Sequence, residues 1–274
     1  VKSILGDFQV RNIKATSRIT ELDKPDLILI GVKAWQIRKI RSDLSRIVHA
    51  GSIMLPLQNG VSAADELTET IDTSNIIGGL CRIISMIESS GVIHHIGITP
   101  TIVFGERNKS VSDRINALKR LLDDAGIHSQ ITDNIESELW KKFIAICVSG
   151  LLAVTKTTYG ELRELQETMH MMIDLITEIY SLSQKAGVEI EADFIDRTVS
   201  FIEFFPYHST SSLTRDVWEG KPSEIEYQIG TVIRLGEKYG VDTPINRFVY
   251  NCILPAEIKA RGLDLKSYSA QQRK

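Results

Sequence analysis

A chain of 274 residues, 43% apolar and 24% charged, is long enough for two domains that each bury a core of their own. A formal charge of -3 leaves no basic footprint for nucleic acid, and no block of like charge marks a tail. No apolar stretch reaches the roughly 18 residues that a bilayer span needs and the start lacks a signal-peptide pattern, so a cytoplasmic protein without nucleic-acid or membrane partners is expected.

In chain order, residues 1–25 predict a short extended segment, around Phe8-Gln9-Val10, leading into a loop at Lys24-Pro25. The unbroken apolar run Asp26-Leu27-Ile28-Leu29-Ile30-Gly31-Val32 predicts a parallel strand buried on both faces, with Lys33 at its carboxyl end. A helix from Trp35 to Val48 and a second buried strand, Ile53 to Leu57, complete a βαβ unit that ends in Gln58-Asn59-Gly60. A helix around Ala63–Ile71 follows, then strand-rich sequence through Gly91–His95 and Thr101–Gly105, and a helical face over 111–124. From Ile135 onward the pattern is helical, with amphipathic stretches over 163–186, 192–206, 222–239 and 243–262. The change near Asp133-Asn134 predicts an α/β domain over 1–134 and an all-α domain over 135–274.

Cys81, Cys147 and Cys252 lie far apart in apolar surroundings, which predicts core thiols rather than a disulfide framework or a zinc site. His94 and His95 are adjacent but lack the helical spacing with an acidic partner of a metalloprotease, and no metal is expected.

The run Glu138 to Leu151 is apolar on nearly every side after its two lysines. On a helix, Lys142 shares a face with Ile135, Glu138, Ile146 and Ser149, whereas Lys141 points toward Ser137, Ala145 and Val148, so one of the pair is expected to be solvated. A half-buried lysine beside a cleft can exchange a proton near neutral pH, because desolvation disfavours its charged form. The alternative is a structural lysine whose tip reaches water.

The ordered series Asp26 to Ala34, Leu57-Gln58-Asn59-Gly60-Val61, Gly91-Val92-Ile93-His94, Phe104-Gly105-Glu106, Leu139-Trp140-Lys141-Lys142, Ser211-Ser212-Leu213-Thr214-Arg215-Asp216 and Glu224-Ile225-Glu226-Tyr227 resembles the 2-dehydropantoate 2-reductase (ketopantoate reductase) family. The likeness runs over essentially the whole chain. It implies NADPH-dependent reduction of 2-dehydropantoate to pantoate, in pantothenate and coenzyme A biosynthesis, or of a related small 2-keto acid. The implied architecture is a partial Rossmann-like NADP-binding domain, truncated at its start, followed by a helical substrate and dimerisation domain of the kind that ends 6-phosphogluconate dehydrogenase. A homodimer is compatible with it.

Carried over by position, the resemblance makes Lys142 the general acid toward the keto oxygen. It places Asn59 beside both the nicotinamide ribose and the substrate, and Lys33 on the cofactor side, facing a phosphate. Ser212 would bond the substrate's polar end, and Glu224 would bind substrate and border the cofactor. Each has a plainer alternative: a turn residue before Gly60 for Asn59, a solvated strand cap for Lys33, a helix N-cap for Ser212, and a first-turn acid after Pro222 for Glu224.

Two departures stand out. The pantoate-forming enzymes carry asparagines four and eight residues after the motif lysine, where this chain has Ile146 and Gly150, which points toward another 2-keto acid. No Gly-x-Gly-x-x-Gly occurs, and the likeness begins after the family's first strand, helix and second strand. The expectation is therefore a fragment with an open strand edge at 26–32 and weak NADPH binding, the runner-up being a catalytically impaired remnant that serves as a binding protein.

Overall fold

The computed structural model describes residues 1–272. The chain forms two compact units, one made of residues 1–58 and 63–139, the other of 59–62 and 140–274. The division falls at 139/140, inside a helix, and four residues from the first half of the chain belong to the second unit.

In the first unit, β1 (Lys2–Ser3) precedes a long loop and then β2 (Leu27–Ile30), α1 (Ile37–Ile47) and β3 (Ile53–Pro56). β2 and β3 pair in parallel, Leu27 opposite Ile53, as a βαβ unit requires. Alternation along β3 sends Met54 to one face and Leu55 to the other, and both are fully buried. Met54 joins Ile30, Ile37, Leu44 and Leu67, the last from α2 (Ala63–Thr68). Leu55 joins Phe104, Ile115 and Leu122 on the opposite side. The expectation of burial on both faces holds for β3 but not along β2, where Leu29 is 46% exposed. β2 pairs with β3 alone among the described strands.

The strand-rich stretch is one long antiparallel hairpin, β4 (Gly78–Ser89) and β5 (Val92–Gly105), with register shifts between Arg82 and Ile84 and between Ile87 and Ser89. Its base is buried through Leu80, Val103 and Phe104, while Ile83, Ile84, Met86 and Ile87 toward the turn are exposed. β1 and β6 (Ser129–Ile131) both pair in parallel with β5, at different heights. His95 is buried, with Nδ1 2.8 Å from Ser3 Oγ and Nε2 2.8 Å from the Ile98 carbonyl, so the histidine pair helps to pin β1. The helix α3 (Asp113–Asp124) starts at Ser112, whose hydroxyl accepts from Ile115 N.

The second unit is organised around α4 (Ile135–Thr155), whose first five residues group with the first unit. Phe143, Ile144, Cys147, Val148, Leu151 and Leu152 are all fully buried, as expected of a helix that is apolar all round. Around it lie α5 (Tyr159–Glu164), α6 (Gln166–Lys185), α7 (Phe194–Glu203), α8 (Ser212–Trp218), α9 (Ile229–Tyr239), α10 (Pro244–Ala260) and α11 (Leu265–Gln272). Their inward side chains form one core with α4. The Glu178 carboxylate of α6 accepts from Ile245 N and Asn246 N, capping α10 from outside the helix.

Several expectations are corrected here. The 163–186 pattern breaks at Leu165, and the 222–239 pattern divides into a 3-10 turn (Ile225–Tyr227) and α9 at Gln228. α11 has no counterpart among the amphipathic stretches read from the sequence, and α8 is foreshadowed only by the helix N-cap alternative for Ser212. Cys147 is buried, whereas Cys81 is partly exposed and Cys252, on α10, is exposed. Among the described residues no helix is long and apolar enough to cross a membrane.

Candidate active site

In the first unit, the carboxyl ends of β2 and β3 are tied together by a residue the sequence reading passed over. Gln58 is buried, and its Nε2 donates to the carbonyls of Ile30 at 2.8 Å and Val32 at 2.9 Å. Its Oε1 has no hydrogen-bond partner among the described residues. Lys33, directly after Val32, is half-buried rather than a solvated cap. It opens a 3-10 turn (Ala34–Gln36), and its ammonium lies 5.6 Å from the centre of the Trp35 ring.

The two lysines of α4 are both half-buried, so burial alone does not single one out as the solvated member. Lys141 is committed elsewhere: its ammonium donates to Glu191 Oε1 at 2.9 Å and holds that carboxyl below the usual carboxylate range. Lys142 lies on the face that carries Ile146 and Ser149.

Asn59 and Glu224, 165 residues apart, meet within the second unit, where Asn59 Nδ2 donates to Glu224 Oε2 at 3.5 Å. Gly60 makes the approach feasible. Its φ is +102°, and a Cβ there would stand 2.8 Å from the Tyr227 carbonyl oxygen, so only glycine fits on both counts. Glu224 is buried to 6% exposure and precedes the 3-10 turn as its cap, its carbonyl accepting from Tyr227 N and Gln228 N at 3.0 Å each. The expected first-turn position in a long helix is therefore replaced by a cap before a short one.

Glu224 is held from behind by a buried clasp on α10. Glu257 accepts from Ser223 N at 3.0 Å, from Ser223 Oγ at 2.6 Å and from Arg261 Nε at 2.6 Å, and Arg261 donates back to the Ser223 carbonyl at 2.8 Å. Every polar atom of Ser223 is thus engaged, which fixes the backbone one residue before Glu224. The sequence signal for the clasp was a glutamate four residues after Ile253 and four before Arg261, on the apolar side of a helix.

A second network joins α4, α8 and the turn after Glu224. Ser149 Oγ donates to Gln228 Oε1 at 3.1 Å, and the Ser149 carbonyl accepts from Thr214 Oγ1 at 2.8 Å. Thr214 N in turn donates to Ser211 Oγ at 3.0 Å. The N-cap of α8 is therefore Ser211, and Ser212 is the first helical residue, exposed and without a side-chain hydrogen bond among the described residues. Gly150 is not an open wall: a Cβ there would lie 2.0 Å from Ile229 Cδ1 and 3.1 Å from Val249 Cγ1. Apolar packing fills the position where an asparagine side chain was expected to be missing. Ile146 is half-buried against the core.

The structure thus brings Asn59 to Glu224 and links Ser212, through its neighbours, to the α4 face shared by Lys142. Gln58, Glu257 and Gln228 are the additions the structure makes.

The profile described as Ketopantoate reductase PanE/ApbA matches residues 1–109, and that described as Ketopantoate reductase PanE/ApbA C terminal matches residues 134–257. A 2-dehydropantoate 2-reductase of Nostoc sp. is 27% identical over 92% of this chain and 80% of its own length. The crystal structure of a PanE/ApbA family ketopantoate reductase from Ralstonia eutropha JMP134 superposes with a TM-score of 0.86 at 24% identity, over 95% of this chain and 85% of that one. The ternary structure of D-mandelate dehydrogenase with NADH and anilino(oxo)acetate superposes with a TM-score of 0.78 at 22% identity, over 90% and 80% of the two chains. The chain belongs to the ketopantoate reductase family of oxidoreductases.

Proposed function

We propose that this protein reduces a small 2-keto acid to the 2-hydroxy acid, with NADPH as hydride donor and 2-dehydropantoate as the first substrate to test. The observation that carries the reading is the meeting of Asn59 with Glu224: a strand-end amide and a buried carboxylate, far apart in sequence, form one polar site on the unit that also carries Lys142.

The residues of the first unit suit a nicotinamide dinucleotide. Open α/β sheets bind ligands at the carboxyl ends of their strands. There Gln58 Oε1 is a buried acceptor that lacks a donor, as a carboxamide or ribose hydroxyl would supply, and Lys33 suits a phosphate. The shared fold is also one in which a dehydrogenase holds NADH. When bound, the reduced nicotinamide supplies the hydride. This chain's residues do the rest.

As hydride reaches the keto carbon, the carbonyl bond pair moves onto oxygen, and the Lys142 ammonium transfers a proton there, leaving a hydroxyl and a neutral amine. Before transfer its charge stabilises the forming alkoxide. Asn59 and Glu224 orient the substrate's hydroxyl-bearing portion, while the exposed hydroxyl of Ser212 at the start of α8 receives its carboxylate. Lys141, held by Glu191, cannot substitute.

The test is steady-state kinetics of the full-length protein with NADPH and NADH in parallel. Lys142→Ala is expected to lower kcat by about 10²–10⁴-fold with cofactor affinity unchanged. Near-normal turnover by this variant on a substrate that the parent reduces would remove Lys142 from the chemistry.

A further inference from the structure

We propose that Glu257 is a positioning residue of the keto-acid site: acting through Ser223 and Arg261, it sets the backbone of Glu224 so that the Glu224 carboxylate stands against Asn59. This rests on the reading of the site as that of a 2-keto acid reductase.

Hydrogen bonds fall on both peptide groups that flank Glu224. On the amino side, the Ser223 carbonyl accepts from Arg261 Nη2 at 2.8 Å, and Ser223 N donates to Glu257 Oε2 at 3.0 Å. On the carboxyl side, Ile225 N donates to Ser223 Oγ at 3.3 Å, and the Glu224 carbonyl accepts from Tyr227 N and Gln228 N at 3.0 Å each. The Ser223 hydroxyl itself donates to Glu257 Oε2 at 2.6 Å, so Glu257 holds the side chain that reaches across Glu224 to Ile225. With both flanking peptide planes held, the two soft dihedrals of Glu224 are set and its side chain leaves the backbone in one direction.

One face of α10 carries the arrangement. Tyr250 lies about two helical turns before Glu257, and its hydroxyl donates to Glu226 Oε2 at 2.6 Å. The segment 223–226 is therefore fastened to α10 at both ends, with Glu224 between the fasteners. A buried carboxylate suits the Glu257 end because it accepts several donors at once, here two from Ser223 and one from Arg261. A glutamine would offer one oxygen and turn its N–H groups toward the remaining donors.

The contact served by this clasp leaves little margin. Asn59 Nδ2 and Glu224 Oε2 stand 3.5 Å apart, at the long end of the hydrogen-bond range, so a small displacement of Glu224 decides whether the two act on one ligand together. The opposite end of α10 provides a matched comparison. There Glu178 accepts from Ile245 N at 2.8 Å, from Asn246 N at 3.1 Å and from Asn246 Nδ2 at 2.7 Å. Among the described residues, those bonds hold the helix start and none joins Glu178 to the segment 223–228.

The full-length protein, Glu257→Gln and Glu178→Gln should be compared by kinetics with 2-dehydropantoate and NADPH, and by the Asn59 side-chain amide signal in nitrogen-15 NMR. Glu257→Gln is expected to raise KM for the keto acid about 10-fold, to leave KM for NADPH within about twofold, and to move the Asn59 signal. Glu178→Gln should lower Tm while leaving both KM values and the Asn59 signal as in the parent. A keto-acid KM within about twofold of the parent's in Glu257→Gln, or an equal rise in Glu178→Gln, would overturn the assignment. If Glu257→Gln fails to fold, Ser223→Ala, which removes the hydroxyl and keeps both backbone bonds, is read in the same way. A parent that reduces no 2-keto acid overturns the reductase reading and the role in turnover with it. In that case the NMR arm still decides whether Glu257 places Glu224, and an unmoved Asn59 signal in Glu257→Gln overturns that too.

Discussion

The two units bury their apolar residues in different ways. The helical unit has a single core running from Trp140 to Ile253, with α4 enclosed by α5, α6, α9 and α10. The α/β unit divides its burial among three clusters, one on each face of β3 and a small one at the hairpin base formed by Leu80, Val103 and Ile135. A single core makes each large side chain count against the whole. Separate clusters let damage stay local and leave the apolar hairpin tip with little to cover it.

The sharpest test of that contrast is Phe143→Ala, at the centre of α4. It should cost about 3–5 kcal/mol and remove the helical unit's transition in calorimetry at a temperature where the first unit still melts cooperatively. Coincident loss of both transitions would mean that the two cores behave as one.

The next effect in size lies in the α/β unit. Glu106 is buried and its carboxylate accepts from Arg114 Nε at 2.7 Å, from Arg114 Nη2 and from Ser112 Oγ, both at 2.6 Å. These bonds, led by the guanidinium, hold its carboxyl below the ordinary value near 4.5 despite burial. Because the folded pKa is depressed, the pair contributes stability above the unfolded pKa and loses it as pH falls through the folded one. Arg114→Ala should cost about 2–3 kcal/mol at neutral pH, less than for a fully enclosed pair because Arg114 is a third exposed. It should also flatten the acid limb of the first unit's denaturation curve. An acid limb as steep as the parent's would show that other carboxylates dominate it.

The smallest effect belongs to the hairpin tip. Ile87 is 76% exposed, and Ile87→Thr should change stability by under about 0.5 kcal/mol, measured by urea denaturation. A loss above 1 kcal/mol would reveal cover for this surface in solution.

The parts legible in the sequence are those with dense local signals. The runs Asp26–Val32 and Ile53–Leu57 are apolar enough to declare a βαβ unit, and the stretch after Lys142 could only be a central helix. The ordered motifs singled out Lys142, Asn59 and Glu224 as candidates, and the structure brings the last two within 3.5 Å of each other. What stayed hidden depends on partners distant in sequence. The fate of Leu29 depends on what lies across β2, and Ser223 is fixed by a glutamate 34 residues later. The hairpin read as separate pieces because its outer half is irregular at two register shifts. Ser211, rather than Ser212, caps α8 because two adjacent serines offer the same chemistry and only the chain direction selects between them. Gln228 was passed over because an amide inside an amphipathic pattern reads as a solvated face until Ser149 is seen opposite.

The four residues 59–62 bear on how such a protein can be divided or exchanged. They leave β3, join the helical unit through Gly60 against Tyr227 and Asn59 against Glu224, and return to the first unit at Ala63. The helical half is therefore not a contiguous module. An excised 140–274 fragment would keep its core yet lose the amide beside Glu224, and a graft onto another α/β domain would restore that amide only if the recipient carried its own asparagine-glycine turn at the matching strand end. The two halves have to be inherited together, because the pairing of Asn59 with Glu224 is written partly in each half of the sequence.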